Sequence, residues 1–264
     1  MRDEIGLLQV RTSERAKPWF RQASTLIALL ALAFSVMSTV YADRRAREQD
    51  LRTQQQNIQN ARIQLGELIQ RLDAVPRENA DLLKNYGHDP ETLSRLAGNL
   101  NAENIALASQ AADIIKSVTG HVSATEYLAV ANALNYSGLY DRAQEMFQAG
   151  MSVKTDQITH TALVQNYATL LFATGDITGG RAKMQEALDI YQKQPTKFKG
   201  QVLSANAYTH LYWSGLEAGA RQCGEAKHHF EEAERVYRQL PSGIFKNQLE
   251  PQIEALRPVV NKCS

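Results

Sequence analysis

At 264 residues, with 44% apolar and 22% charged side chains, the chain has ordinary globular composition and enough apolar material for a sizeable core. Its 29 basic residues face 28 acidic ones, which excludes the strongly basic surface that nucleic-acid binding draws on, so no nucleic-acid partner is expected. Two cysteines, Cys223 and Cys263, exclude a disulfide-dense scaffold and a metal site built from cysteine alone.

A short N-terminal tail, residues 1–22, precedes a segment at 23–42 that reads as a transmembrane helix. Residues 24–41 carry no charge, and as helix they would span about 27 Å, close to the hydrocarbon thickness of a bilayer. Trp19 and Tyr41 stand near its ends, and Lys17, Arg21, Arg44 and Arg45 bracket it with charge. A rival reading is a cleaved signal, because Val40-Tyr41-Ala42 offers small residues before Asp43 at spacing a signal peptidase accepts. Basic residues are matched on the two sides, so charge alone does not orient the segment. A short basic tail ahead of a first apolar segment favours the N-terminus inside and the large domain outside the cytoplasm.

Over 43–76, Leu51, Ile58, Leu65 and Leu72 recur every seventh residue, with Ala61, Leu68 and Val75 three positions after the last three of them. This spacing predicts a helix of about 50 Å ended by Pro76, read as a coiled-coil stalk. It would make a homo-oligomer, a reading helped by the small residues Ala31, Ser35 and Thr39 on one membrane-helix face. The alternative is one amphipathic helix folded back on its own domain.

Residues 77–122 read as a helical hairpin or divergent repeat. Asp89-Pro90-Glu91 supplies a cap and a first-turn proline, and helices are expected over about 90–99 and 102–118. Next, Ser123-x-x-Glu126 forms a capping box that opens a helix closed at Gly138. The spacing Gly138-x-Tyr140-x2-Ala143-x3-Phe147-x2-Gly150 then describes two helices meeting across a tight turn with small and aromatic residues between them.

Leu163, Asn166, Leu171 and Gly175, then Gly180, Met184 and Ala187, repeat the pattern. So do Leu203, Asn206, Leu211 and Gly215, followed by Ala226, Phe230 and Ala233. Between Gly215 and Ala226 lie six more residues than between Gly138 and Ala143, predicting an insertion in that turn within EAGARQCG. Residues 123–240 thus resemble three tetratricopeptide repeats, although none is complete and the tryptophan common near the start of the family's first helix is missing.

The resemblance implies an all-α chain, an α-solenoid of helix hairpins preceded by the transmembrane helix and the stalk. It implies a closing helix over 241–264 with Ile244, Leu249, Ile253, Leu256 and Val259 buried, kinked or interrupted by Pro251 and Pro258. Such a helix would return Cys263 towards Cys223 and allow a disulfide; the alternative is two unrelated thiols.

In the family the first helices line a concave groove. The matching positions here include Leu128, Asn132, Asn135, Gln165, Thr169, Phe172, Ala205, Thr209 and Tyr212. This neutral lining suits an apolar or amide-rich peptide better than a charged chaperone tail, since of that clamp only Asn132 and Asn166 are matched. The bland reading places Phe172 and Tyr212 partly in the core.

Neither a phosphate loop, a nucleophile elbow nor a helical HExxH pair occurs, so no catalytic residue, cofactor or metal is expected. The expected function is a non-enzymatic, membrane-anchored adaptor for protein or peptide partners in the cell envelope, its expected setting a bacterial cytoplasmic membrane. The rivals are a structural subunit that oligomerises through its stalk and a cleaved, exported soluble repeat protein.

Overall fold

The apolar residues of this chain recur at helical spacing almost throughout, and every regular element formed among the described residues is a helix. The computed structural model describes residues 17–192 and 199–263, so the expected tail lies outside the described residues up to residue 16. In chain order the helices are α1 (Lys17–Tyr86), α2 (Pro90–Ser117), α3 (Ala124–Tyr136), α4 (Tyr140–Ser152), α5 (Gln157–Ala173), α6 (Ile177–Gln192), α7 (Lys199–Gly219), α8 (Cys223–Arg238) and α9 (Ile244–Lys262). The described residues divide into two units between Asn60 and Ala61, and each is taken by itself.

The first unit is the leading part of α1. Its large apolar residues Ile27, Leu30, Leu32, Phe34, Val36, Met37 and Val40 are all exposed. Among the described residues no helix is long and apolar enough to cross a membrane. Of the segment expected to do so, the side chains of residues 23–26, 28, 29 and 33 lie outside the described set. Ser38 and Thr39 turn their hydroxyls back onto the Ser35 carbonyl at 2.9 and 2.8 Å, which satisfies them within the helix.

The second unit begins with the rest of α1, and here the stalk expectation needs correction. Leu65, Leu72 and Val75 are buried within the unit, while Leu51 is exposed. Arg62 pairs with Glu126 at 3.3 Å and Arg71 with Glu103 at 2.9 Å, tying this stretch to α3 and α2. The second half of the heptad seam therefore packs on its own chain, and those residues are not available to a second copy. Nor does Pro76 end the helix. It lies on the exposed side of α1, where its ring meets solvent, and burial of Leu72 and Val75 just before it offsets the lost backbone hydrogen bond. The helix ends at Tyr86, where Gly87 and His88 make the turn.

No break falls near residue 100. The Asp89 carboxylate accepts from the Thr92 amide at 3.1 Å, Pro90 occupies the first turn, and α2 continues without interruption to Ser117. Gly98 lies inside α2 with open space around it, a placement that costs about 1 kcal/mol relative to alanine. Buried Leu100, Ala108, Ala111, Ala112 and Ile115 on the following turns offset that cost.

The three later hairpins, α3/α4, α5/α6 and α7/α8, are each built from two helices in extensive contact. Ser123 and Glu126 form the reciprocal cap expected for α3. Gly138 (φ +75°) and Gly175 (φ +87°) take the left-handed conformation that turns the chain after α3 and α5. At Gly150 an added Cβ would stand 2.8 Å from Tyr127 Cβ and 2.9 Å from Leu163 Cδ2, so only glycine lets α4 approach both α3 and α5 there. Ala143, Phe147, Met184, Ala187, Ala226, Phe230 and Ala233 all lie in the core.

The third hairpin departs from the sequence reading. Gly215 is inside α7, facing Leu256, and the six additional residues extend the helix instead of forming a loop. The left-handed turn residue is Arg221 (φ +57°). Its neighbour Gln222 donates to the Glu217 carbonyl at 2.8 Å, as Leu139 donates to Leu134 at 2.9 Å in the first hairpin.

Helix α9 packs on α7 and α8 through Leu249, Ile253 and Val260. Of the expected stripe, Ile244 and Val259 are exposed, and Val260 takes the inward place. Pro251 and Pro258, seven residues apart, share the exposed side of α9, so neither interrupts it. Cys223 and Cys263 are joined by a disulfide with their Cα atoms 5.4 Å apart, linking the start of α8 to the end of α9.

Candidate functional site

The expected groove residues divide into two groups. Gln165, Thr169, Phe172, Thr209 and Tyr212 meet at the packing of α5 against α7. Gln165, 7% exposed, donates its amide to Thr209 Oγ1 at 2.9 Å, and that hydroxyl donates to the Ala205 carbonyl at 2.8 Å. Thr169 Oγ1 and the Tyr212 hydroxyl lie 2.7 Å apart. Phe172 belongs to the core, with Ala168, Met184, Leu188 and Trp213 around it. These groups therefore fasten two helices together, and Phe172 in particular offers no surface to a partner. Asn132 and Asn135 are half-buried on α3 and stand apart from the cavity described next.

That cavity, of about 1040 Å³, opens between the starts of α5 and α7, the end of α6 and the first half of α9. Its lining is rich in primary amides: Gln157, Gln165, Asn166, Gln201, Gln248 and Gln252. Tyr191, Tyr208 and Phe245 add aromatic surface, and Ile158, Val202 and Leu249 add aliphatic surface. Asp156 is the one charged side chain among the described wall residues. Its carboxylate caps α5, accepting from the Thr159 amide at 2.9 Å and the Thr159 hydroxyl at 2.7 Å. These hydrogen bonds, the backbone one foremost, hold it below the usual carboxylate range.

A separate, narrower cleft of about 390 Å³ lies along α7, between Leu211, Tyr212, Gly215 and Leu216 on one side and Ala255 and Leu256 on the other. Cavity and cleft share Tyr208 and Gln252. The Tyr208 and Tyr212 rings stack at 6.1 Å with 7° between their planes.

Sequence reasoning located Gln165 and Ala205 but missed the wall supplied by α9. The signal was present: Phe245, Gln248 and Gln252 stand at i, i+3 and i+7, one face of a helix, flanking the buried Leu249. Reading α9 only as a cover for the last hairpin hid that face.

A polar network lies on the other side of α7. Glu217 is fully buried and receives a two-pronged contact from Arg181, Nε to Oε1 at 2.7 Å and Nη2 to Oε2 at 2.9 Å. Trp213 Nε1 donates to the same carboxylate at 2.9 Å. The hydrogen bond to Glu217 raises the Arg181 guanidinium above its ordinary range. His229 stacks on Trp213 at 3.8 Å, and its Nδ1 lies 3.2 Å from His210 Nδ1, so one of the two nitrogens donates and the other accepts. Burial pushes His210 down, and burial together with the neighbouring imidazoles pushes His229 down to about 4. Among the described residues no group of three His, Cys, Asp or Glu side chains is placed to hold a metal ion.

No family model, no curated protein and no solved structure matches this chain.

Proposed function

We propose that this chain is a non-enzymatic adaptor, anchored in a membrane by the segment at 23–42, that binds a protein partner through its helix-hairpin domain on the non-cytoplasmic side. The observation that carries the reading is the amide- and aromatic-lined cavity bounded by α5, α6, α7 and α9 in a stack of similar hairpins. Stacked helix pairs present concave surfaces of this kind, and the turn-glycine and small-aromatic-small order resembles the tetratricopeptide repeat.

Two further features support the setting. The uncharged run 24–41 has its large described residues exposed on successive turns, a surface that water disfavours and hydrocarbon accepts. The Cys223–Cys263 bridge suits an oxidising compartment.

Crosslinking in membranes followed by recovery of the full chain tests the reading: one discrete partner, and a chain that stays in the membrane pellet after carbonate washing, are expected. Recovery of no partner would remove the adaptor. A mature chain whose intact mass begins at Asp43 would replace the anchor by a cleaved leader.

A further inference from the structure

Helix α9 supplies Phe245, Gln248, Leu249 and Gln252 to the cavity wall, yet it has little of its own to hold it in place. No side chain caps its start at Gly243, and Pro251 and Pro258 each lack the N–H that the carbonyl four residues earlier would accept. Leu249, Ile253 and Val260 are its buried residues, with Phe245 and Leu256 half-buried beside them. Arg257 reaches Glu234 on α8 at 2.8 Å, but both side chains keep contact with solvent, where such a pair contributes little.

We infer that the Cys223–Cys263 bridge is a redox latch: a dithiol that reduces it releases α9 from α7 and α8 and opens the cavity on that side, while the earlier hairpins stay folded. The latch goes beyond the adaptor reading and does not depend on it.

The connectivity of α9 makes the bridge decisive. At its start the helix follows the exposed turn 241–243, where Gly243 has φ +147°, and just past its end Cys263 is bonded to Cys223, the first residue of α8. While the bridge is closed, a helix that leaves its seat remains inside a covalent loop and gains little freedom. Once it is open, α9 is tied at one end only, and leaving releases the full conformational freedom of its backbone. Beneath it, Ala207, Leu211, Phe230, Val236 and Leu240 form an apolar seat that draws α9 back when the bridge forms again.

Both cysteines are half-buried, so a small dithiol reaches the bond without prior unfolding. One thiolate of the reagent attacks Cys263 Sγ. The electron pair of the S–S bond leaves on Cys223 Sγ, where the start of α8 favours negative charge, and a proton follows. The second thiol of the reagent then displaces Cys263. The reagent ends as a disulfide and the protein as two thiols, two electrons and two protons having passed to the protein.

The test follows backbone hydrogen exchange by mass spectrometry, on the full chain in detergent micelles with and without dithiothreitol, and thiol alkylation confirms that the bridge has opened. Amides along the whole of α9, the cavity-lining first half included, should exchange about a hundredfold faster after reduction, while those of α5 and α6 keep their rates. The variant Cys223→Ser/Cys263→Ser should match the reduced chain and ignore dithiothreitol. Pro251→Ala/Pro258→Ala, at two exposed positions, should slow exchange in the reduced α9 by about tenfold or more.

Unchanged exchange in α9 after reduction would overturn the latch. So would acceleration confined to its last turn, which would leave the cavity wall in place, or an equal acceleration of every helix, which would make the bridge a staple of the whole domain. A response of the cysteine double variant to dithiothreitol would show that the effect bypasses the bridge. A reduced proline variant that exchanges as fast as its parent would remove the weakness of α9 on which the latch rests.

Discussion

Backbone conformation at single residues decides where each hairpin turns, and the third hairpin makes the cost visible. Gly138 and Gly175 adopt positive φ without a Cβ to strain, whereas Arg221 adopts it with one. A left-handed residue other than glycine carries roughly 1 to 2 kcal/mol of strain, so Arg221→Gly is expected to stabilise the chain by about 1 kcal/mol after glycine's greater unfolded freedom is counted. A urea melt reads this as a higher midpoint at constant slope; an unchanged or lowered midpoint would mean that the Arg221 side chain contributes more than its backbone costs. The small residues at the helix crossings were legible at this scale, because Ala143 and Gly150 recur with spacing that puts them on one face. Arg221 was not, since nothing about arginine marks a left-handed turn.

Between elements, the α7–α8 contact holds the buried His229 against the half-buried His210, and the packing favours both imidazoles neutral. His229 titrates at about 4 in the folded chain and near 6.5 when unfolded, so between those values the unfolded chain binds more protons. Stability is therefore full above about pH 6.5 and falls as pH is lowered through 4, by up to about 3 kcal/mol from this site. The groups facing the pair are Glu232, His228 and Arg235 on α8, Glu217 on α7 and Arg181 on α6; the carboxylates held low elsewhere, Asp89 and Asp156 among them, add their loss mostly below pH 4. Chemical denaturation at pH 7.5 and 4.5 measures the slope, and His229→Phe, which keeps an aromatic ring against Trp213, should flatten it.

Helix existence was legible from apolar spacing across nearly the whole chain; helix ends were less so. Gly98 and Pro76 are local breakers whose cost was outweighed by buried neighbours on the next turns. The supposed insertion after Gly215 became a helical extension that carries Glu217 to Arg181. In each case tertiary burial overrode a local signal, and a sequence carries that information only through partners that are distant along the chain.

For the molecule as a whole, the candidate site depends on α9, which is why it escaped a reading made one hairpin at a time. The cavity takes walls from α5, α6, α7 and α9, brought together only once the last helix has returned across α7 and α8. The Cys223–Cys263 bridge closes a loop with a sequence separation of 40, and such closure is worth roughly 3 to 4 kcal/mol by its effect on the unfolded chain. Reduction is expected to lower stability by that amount, which urea unfolding with and without a phosphine reductant checks; identical midpoints would show that the crosslink adds nothing.

The same bridge alters what cutting the chain means. The turn at 239–243 separates α8 from α9, and both helices lie inside the covalent ring. A protease that opened this turn would therefore make two polypeptides that remain one molecule, with the cavity's last wall still attached. Only a reductant would turn the nick into a loss, so damage at the end of this fold is recorded by the redox state of its surroundings before it is felt at the site.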